Sequence, residues 1–156
     1  MHSVFFTGHR TIENSKKIIE KLMATLKKLI LNGATDFYAG GALGWDMICE
    51  EAVLILRENY FPHIKLHLIL PCPPEEQTAH WSTFDKEVYR KILEAADSVE
   101  ILSEHYTKDC MKNRNARLAE LGDICVCYFD ENRRRSGTAQ TVRMAERLGR
   151  EILNMK

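Results

Sequence analysis

Short β-prone runs alternate with helical patterns along nearly the whole chain, and this alternation limits the fold more than any other feature of the sequence. The first pair shows the pattern, because residues 4–7 are rich in strand formers and the apolar residues of 15–31 recur at helical spacing. Strands and helices that alternate in this way form βαβ units with parallel strands. We therefore predict an α/β fold, a three-layer sandwich with a mainly parallel central sheet and helices on both faces.

The same patterns predict where each element lies. Strands are expected at 4–7, 35–39, 64–70, 98–102 and 123–129, with a final edge strand at 151–153. Helices are expected at 15–31, from 44 or 46 to 60, and at 84–96, 113–121 and 138–148. Asn14 or Ser15 can cap the first helix, and Pro71-Cys72-Pro73-Pro74 forces an extended loop. Ligands of such sheets bind at the carboxyl ends of the strands, near the point where strand order reverses.

Composition narrows the class of protein. The 156 residues suit one domain, 1–156, and Lys+Arg and Asp+Glu both total 22, so any anion binding must be local. No apolar run approaches the ~20 residues of a membrane span and the start of the chain has no signal-peptide pattern, which predicts a cytoplasmic protein without a membrane partner. The five cysteines lack paired C-x-x-C spacing, so we expect small buried hydrophobic residues or free thiols, and no metal.

A glycine-dense turn between residues 38 and 46 is the most suggestive single stretch. Gly40, Gly41 and Gly44 let backbone N–H groups approach a ligand closely, and the next helix would aim its positive end at the same point. These features predict a phosphate site, although turn geometry alone can also explain the glycines. Asp46 comes next, and it can bind a ribose hydroxyl, take part in acid–base chemistry or cap the helix.

Other polar groups come after the first and third strands. Gly8 allows close backbone approach, His9 is either a surface donor or a catalyst, and Arg10 offers a charge-assisted fork to phosphate or carboxylate. Pro71 ends the third strand. Further along, Trp81 either packs in the core or stacks on a base, and the same alternatives hold for Tyr106.

The end of the fifth strand supplies a second candidate corner. Ser136, Gly137 and Thr138 would present N–H and hydroxyl donors at a helix start. The arginines at 133–135 either form a solvated loop or close over an anion, and Arg114-Asn115 either binds an anion or holds loops together. Two phosphate-compatible corners and an acidic Asp46 at one sheet edge predict a nucleotide ligand.

Taken in order, these residues resemble the YpsA-like branch of the SLOG superfamily. This superfamily contains Rossmann-like domains related to the LOG phosphoribohydrolases and to the DprA DNA-processing proteins. The resemblance covers nearly the whole chain, and it implies a Rossmann-like fold, a nucleotide or nucleotide-derivative ligand and self-association into oligomers. It is carried by Thr7-Gly8-His9-Arg10, Gly40-Gly41-Ala42-Leu43-Gly44 with Asp46, Pro71, Trp81, Ala96-Asp97, Tyr106, Arg114-Asn115 and Ser136-Gly137-Thr138-Ala139-Gln140-Thr141.

One departure from the related enzymes bears on activity. LOG enzymes carry a Gly-Gly-x-Gly-Thr-x-x-Glu pattern, and its glutamate takes part in cleaving the N-glycosidic bond. Here Thr141 stands in place of that glutamate and Ser136 in place of the glycine before the Gly-Thr pair. Glu146 lies five residues after Thr141, about one and a half helical turns further along, which is too far to substitute. The phosphate-binding part of the pattern is kept, while the expected carboxylate is missing.

These residues support three hypotheses for the function. The first is a sensor or regulatory domain that binds a nucleotide, such as a nucleoside phosphate or an ADP-ribose-like compound, with the cofactor unknown. The second is a nucleotide N-glycosidase that uses Asp46 or another carboxylate. The third is a single-stranded nucleic-acid binder that uses the arginine loop and stacking on Trp81 or Tyr106. The balanced charge argues against the third hypothesis.

Overall fold

Six parallel strands form one sheet in the computed structural model, which describes residues 2–156. The strands are β1 (His2–Gly8), β2 (Ala34–Ala39), β3 (Lys65–Leu70), β4 (Ser98–Ile101), β5 (Ile124–Tyr128) and β6 (Glu151–Asn154). The helices are α1 (Ser15–Leu31), α2 (Trp45–Asn59), α3 (Pro74–Gln77), α4 (Thr83–Ala95), α5 (Cys110–Leu121) and α6 (Gly137–Arg147). The predicted α/β class is confirmed.

The strand order is β4-β3-β2-β1-β5-β6, which puts β1 near the middle of the sheet. The chain builds outward from β1 to β4, crosses back over the sheet through α5, and then adds β5 and β6 on the other side of β1. Strand order therefore reverses between β1 and β5. In a parallel sheet, this reversal leaves a crevice at the carboxyl ends of the two strands.

Helices cover both faces of the sheet, and the strands divide their side chains between them. On one face, Val4 and Phe6 of β1 belong to a core that includes Leu22 of α1 and buried residues of α2 and α4. On the other face, Phe5 packs with Leu118 of α5 and with residues of α6. All residues of β5 are buried, which agrees with its place inside the sheet.

Three local features differ from the sequence prediction. The proline loop is extended only as far as Pro73, and a short helix, α3, begins at Pro74, where proline is tolerated because the first helical N–H needs no partner. Helix α5 begins at Cys110 instead of residue 113. Asn14 lies at the N-cap of α1 with φ 51°, in the left-handed region, and its side chain makes no capping hydrogen bond.

The five cysteines are free and buried. Within residues 2–156, no three His, Cys, Asp or Glu side chains are grouped so as to hold a metal ion. None of the helices in that same range has the length and apolar character needed to cross a bilayer.

Candidate functional site

A pocket of about 370 Å³ opens at the carboxyl ends of β1 and β5, where strand order reverses. The loop after β1 forms one wall, the start of α6 forms another, and α5 closes the floor. Most of the residues that were predicted from the sequence to bind a ligand line this pocket. They are Gly8, His9, Arg10, Asp46, Arg114, Asn115, Ser136, Gly137 and Thr138. The other nominated residues, Gly40, Gly41, Gly44 and Pro71, do not line it.

The glycine turn after β2 is closed by the chain's own carboxylates. The Gly41 N–H donates to Glu50 Oε2 at 3.1 Å, and the Ala42 N–H donates to Asp46 Oδ2 at 3.2 Å. Gly44 has φ 81°, and a side chain there would collide with the Arg10 backbone, so the turn also serves close packing against the first loop. The N–H groups of Gly41 and Ala42 are therefore already bonded and are not free to hold a phosphate.

Arg114 ties this turn to α5. It is buried, its Nη1 donates to the Gly40 carbonyl, and its Nε donates to Asn115 Oδ1 at 2.7 Å. Burial lowers the pKa of Arg114, and the negative charges of Asp46 and neighbouring groups oppose that shift. Arg114 was predicted either to bind an anion or to hold loops together. These contacts hold loops together, and Arg114 also lines the pocket.

Two acidic side chains lie buried beneath the turn. Burial raises the pKa of Glu50 well above its ordinary value, the charge of Asp46 raises it further, and the Gly41 hydrogen bond only partly opposes this. Glu50 Oε1 is buried and has no hydrogen-bond partner within residues 2–156. Burial also raises the pKa of Asp46, while Arg114 and backbone hydrogen bonds from Ala42 and Gly40 lower it. Burial therefore favours the protonated form of Glu50, whose charged form has only the Gly41 hydrogen bond and the more distant Arg114 to stabilise it.

Asp46 does not cap α2, because the N-cap position is Gly44. The first N–H of the helix, that of Trp45, donates to the His9 carbonyl at 3.1 Å. The positive end of α2 is thus turned towards the loop after β1, and Asp46 lies at the pocket wall with part of its carboxylate bonded to the turn. Two backbone hydrogen bonds leave lone pairs free on a carboxylate.

His9 is a buried pocket residue with a defined tautomer. Its Nε2 accepts the Asp130 N–H at 2.9 Å, so the neutral ring carries its proton on Nδ1. Burial lowers the pKa of His9, the positive charge of Arg133 lowers it further, and Asp130 opposes the shift. The imidazole is therefore neutral at pH 7 and offers one N–H donor.

The start of α6 provides the open donors of the pocket. Ser136 caps the helix by accepting the Ala139 N–H at 3.0 Å. Within residues 2–156, the N–H groups of Gly137 and Thr138 have no protein acceptor. Arg133 also lines the pocket and forms no ion pair with residues of that range, whereas Arg134 and Arg135 lie outside the lining.

A second cavity, of about 560 Å³, adjoins the first, and Arg10 lines both. Its walls include Trp81 and Tyr106. Trp81 packs on Tyr89 with ring centroids 5.2 Å apart, while 61% of Tyr106 is exposed. The structure therefore places both candidate stacking residues beside the pocket.

Sequence reasoning missed Glu50 and Gln77, which hold the glycine turn. Gln77 Nε2 donates to the Gly41 carbonyl at 3.0 Å, and its Oε1 accepts the Tyr89 hydroxyl at 3.1 Å. Glu50 could have been found, because it lies four residues after Asp46 and therefore on the same face of α2. Gln77 carried no such signal, since the helix that positions it was not predicted.

Parallel strands, helices on both faces and a polar pocket at the strand-order reversal define an α/β domain of the Rossmann-like type. The chain belongs to the YspA SLOG family, because that family model, YpsA, matches residues 4–154. The resemblance noted in the sequence is confirmed.

Relatives extend this assignment. A UPF0398 protein from Shouchella clausii is 33% identical over 137 residues, which are 85% of this chain and 69% of the relative. The SPbeta prophage-derived protein YoqJ of Bacillus subtilis is 30% identical over 151 residues, covering 87% of this chain and 85% of YoqJ.

A solved structure shares the fold. DNA processing protein A from Helicobacter pylori, studied for its single-stranded DNA binding mode, has a TM-score of 0.66 at 22% identity. The match covers 97% of this chain but only 63% of that protein. At this identity the likeness concerns the fold alone.

Proposed function

We propose that the chain binds a nucleotide or nucleotide derivative, such as a nucleoside phosphate or an ADP-ribose-like compound, and acts as a sensor or regulatory domain. The observation that carries this proposal is the pocket at the strand-order reversal. There the open N–H groups of Gly137 and Thr138 face the same space as Arg10 and Arg133. Helix N-termini and arginine forks are the groups with which proteins hold phosphates.

Arg10 supports a ligand longer than a phosphate. Because Arg10 lines both cavities, a ligand whose phosphate is held at α6 can extend past Arg10 into the second cavity. A base there can stack on Trp81 or Tyr106, which is worth about 1–3 kcal/mol for a base on an aromatic ring. Asp46, which lines the first cavity, has lone pairs for a ribose hydroxyl.

A panel of nucleoside mono-, di- and triphosphates, NAD and ADP-ribose tests the proposal by thermal shift. A ligand at a hundred times its dissociation constant adds about 2.7 kcal/mol, which raises the melting temperature by roughly 5–10 °C for a domain of this size. Chromatography of each mixture then separates the hypotheses. Intact ligand supports a binding domain, whereas released base supports the N-glycosidase alternative. No shift with any compound would overturn the proposal.

Neighbouring arginines provide a matched control. Arg133→Ala removes a cation that lines the pocket, and we expect the affinity of the best ligand to fall about tenfold, because a charged hydrogen bond contributes about 1.5–3 kcal/mol. Arg134→Ala removes another exposed cation, one outside the lining, and should leave the affinity unchanged. Equal losses in both variants would indicate general charge attraction and contradict a built phosphate site.

Single-stranded nucleic acid is the second candidate ligand, because the fold matches DNA processing protein A. Trp81, Tyr106 and the arginines at 133–135 are the residues that would serve it. Phosphate contacts release counterions, so binding of an oligonucleotide must weaken steeply with salt. Oligonucleotide binding that is absent, or that does not change with salt, would exclude this alternative.

A further inference from the structure

Three neighbouring strands place an aspartate, a histidine and a serine in one hydrogen-bonded row, away from the pocket. His67 of β3 lies opposite Ser98, which is the first residue of β4. The row therefore lies at the start of β4, away from the carboxyl edge that holds the pocket. His67 Nε2 lies 2.7 Å from Asp36 Oδ1 of β2, and His67 Nδ1 lies 2.6 Å from Ser98 Oγ. The proposed nucleotide site involves none of the three.

The row has a defined direction of proton donation. A neutral imidazole has one N–H, and the Asp36 carboxylate can only accept, so Nε2 carries the proton. Nδ1 is then the acceptor and faces the Ser98 hydroxyl. This arrangement gives a serine, a base and a group that orients the base, which is the order of parts in nucleophilic catalysis by serine.

Two further contacts fix the row. Thr35 Oγ1 donates to Asp36 Oδ2 at 2.8 Å, and the Tyr38 ring stacks on the imidazole with centroids 4.8 Å apart and an interplanar angle of 25°. Burial alone would raise the pKa of Asp36, but the hydrogen bonds from His67 and Thr35 outweigh it and lower the pKa. The carboxylate therefore stays ionised at neutral pH.

Ser98 is exposed, and 16% of the His67 side chain and 28% of that of Asp36 remain accessible. We propose that Ser98 is an activated nucleophile that accepts acyl groups from small activated esters. Ser98 Oγ forms a bond to the carbonyl carbon while its proton passes to His67 Nδ1. The bond from that carbon to the leaving oxygen then breaks, and the leaving group departs as an anion or takes the proton from His67.

The experiment uses the intact protein and p-nitrophenyl acetate. Acetylation is followed by release of p-nitrophenolate, by the mass of the whole protein and by mapping the modified peptide. We expect one acetyl group at Ser98 and loss of that modification in Ser98→Ala. His67→Gln should slow acetylation of Ser98 by at least about tenfold, because a positioned general base contributes about 10²–10⁴ in rate.

Asp36 acts through His67 and is a positioning residue. Asp36→Asn should slow acetylation of Ser98, and Asp36→Glu, which restores a carboxylate, should recover part of the rate. The melting temperature of each variant separates loss of reactivity from loss of folding. If Asp36→Asn slows acetylation only by unfolding the protein, its melting temperature should fall together with the rate. A slow Asp36→Asn variant with an unchanged melting temperature, and a faster Asp36→Glu variant, would assign the positioning role to the carboxylate.

Ser15 is the matched control, since it is also exposed and forms no hydrogen bond with a histidine in residues 2–156. Ser15→Ala should leave the acetylation rate and its position unchanged. Acetyl groups spread over lysines and other serines would overturn the proposal. So would an unchanged rate at Ser98 in folded His67→Gln, since the row would then be a hydrogen-bonded strand ladder only.

Discussion

Two corners of the same sheet edge begin with a glycine-containing turn and a helix, yet their backbone donors have different partners. After β2, the N–H groups of Gly41 and Ala42 donate to side chains of α2. After β5, those of Gly137 and Thr138 have no acceptor within residues 2–156. A glycine turn is therefore not sufficient for a phosphate site. Side chains of the helix that follows the turn can accept hydrogen bonds from its backbone N–H groups and leave none for a ligand.

The residues responsible occupy matching positions in the two helices. The second and sixth residues of α2 are Asp46 and Glu50, whose carboxylates reach back to the turn. The second and sixth residues of α6 are Thr138 and Val142, which offer no carboxylate. The corner after β2 is consequently a structural support, and the corner after β5 is the one available to an anion.

Removing Arg114 should have the largest effect on the support. Arg114→Met leaves the Gly40 carbonyl without its donor and Asp46 without its nearby cation, so we expect a loss of about 3 kcal/mol in the free energy of unfolding. Urea denaturation measures it. Arg133→Met, an exposed arginine at the open corner, should change stability by no more than about 0.5 kcal/mol. Similar losses in both would contradict the distinction between the corners.

Removing the cap of α6 should have a smaller effect, and it tests the open corner. Ser136→Ala deletes the acceptor for the Ala139 N–H and should cost about 1 kcal/mol of stability. It should also weaken binding of inorganic phosphate, because the first turn that presents Gly137 and Thr138 loosens. Ser82→Ala deletes the equivalent cap of α4 and should cost a similar stability, but leave phosphate binding intact.

Glu50→Gln should have the smallest effect at neutral pH. The amide oxygen can still accept the Gly41 N–H, and a neutral amide replaces an acid whose charged form is disfavoured by burial, so stability at pH 7 should change by less than about 1 kcal/mol. The pH dependence should change instead. Because folding raises the pKa of Glu50 above 4.5, the folded state holds a proton that the unfolded state releases, and wild-type stability falls as pH rises above 4.5.

Glu50→Gln has no proton to release at this position. The free energy of unfolding of the variant, relative to that of the wild type, should therefore increase as the pH rises above 4.5. Urea denaturation at several pH values gives the difference. A constant difference from pH 4 to pH 8 would mean that Glu50 is not the protonated acid beneath the turn.

The sequence predicted the parallel strands, their order along the chain and most of the pocket lining, because these depend on local periodicity and on the residues directly after each strand. It did not predict that the turn at Gly41 would be closed. That closure depends on where the Glu50 carboxylate lies after α2 packs against β3 and α4, which no local pattern records. Helix α3 was missed since four residues are too few to show helical periodicity.

The placement of the pocket between β1 and β5 also has a consequence for folding. Val4 pairs with Ile124 across this boundary, so the central strand keeps one unpaired edge until nearly the whole chain is available. Bringing such distant segments together has a large entropic cost and slows folding. The open edge of an apolar strand is meanwhile prone to pair with other chains. A ligand that contacts both sides of the boundary would stabilise the last strand pairing to form and so slow its opening.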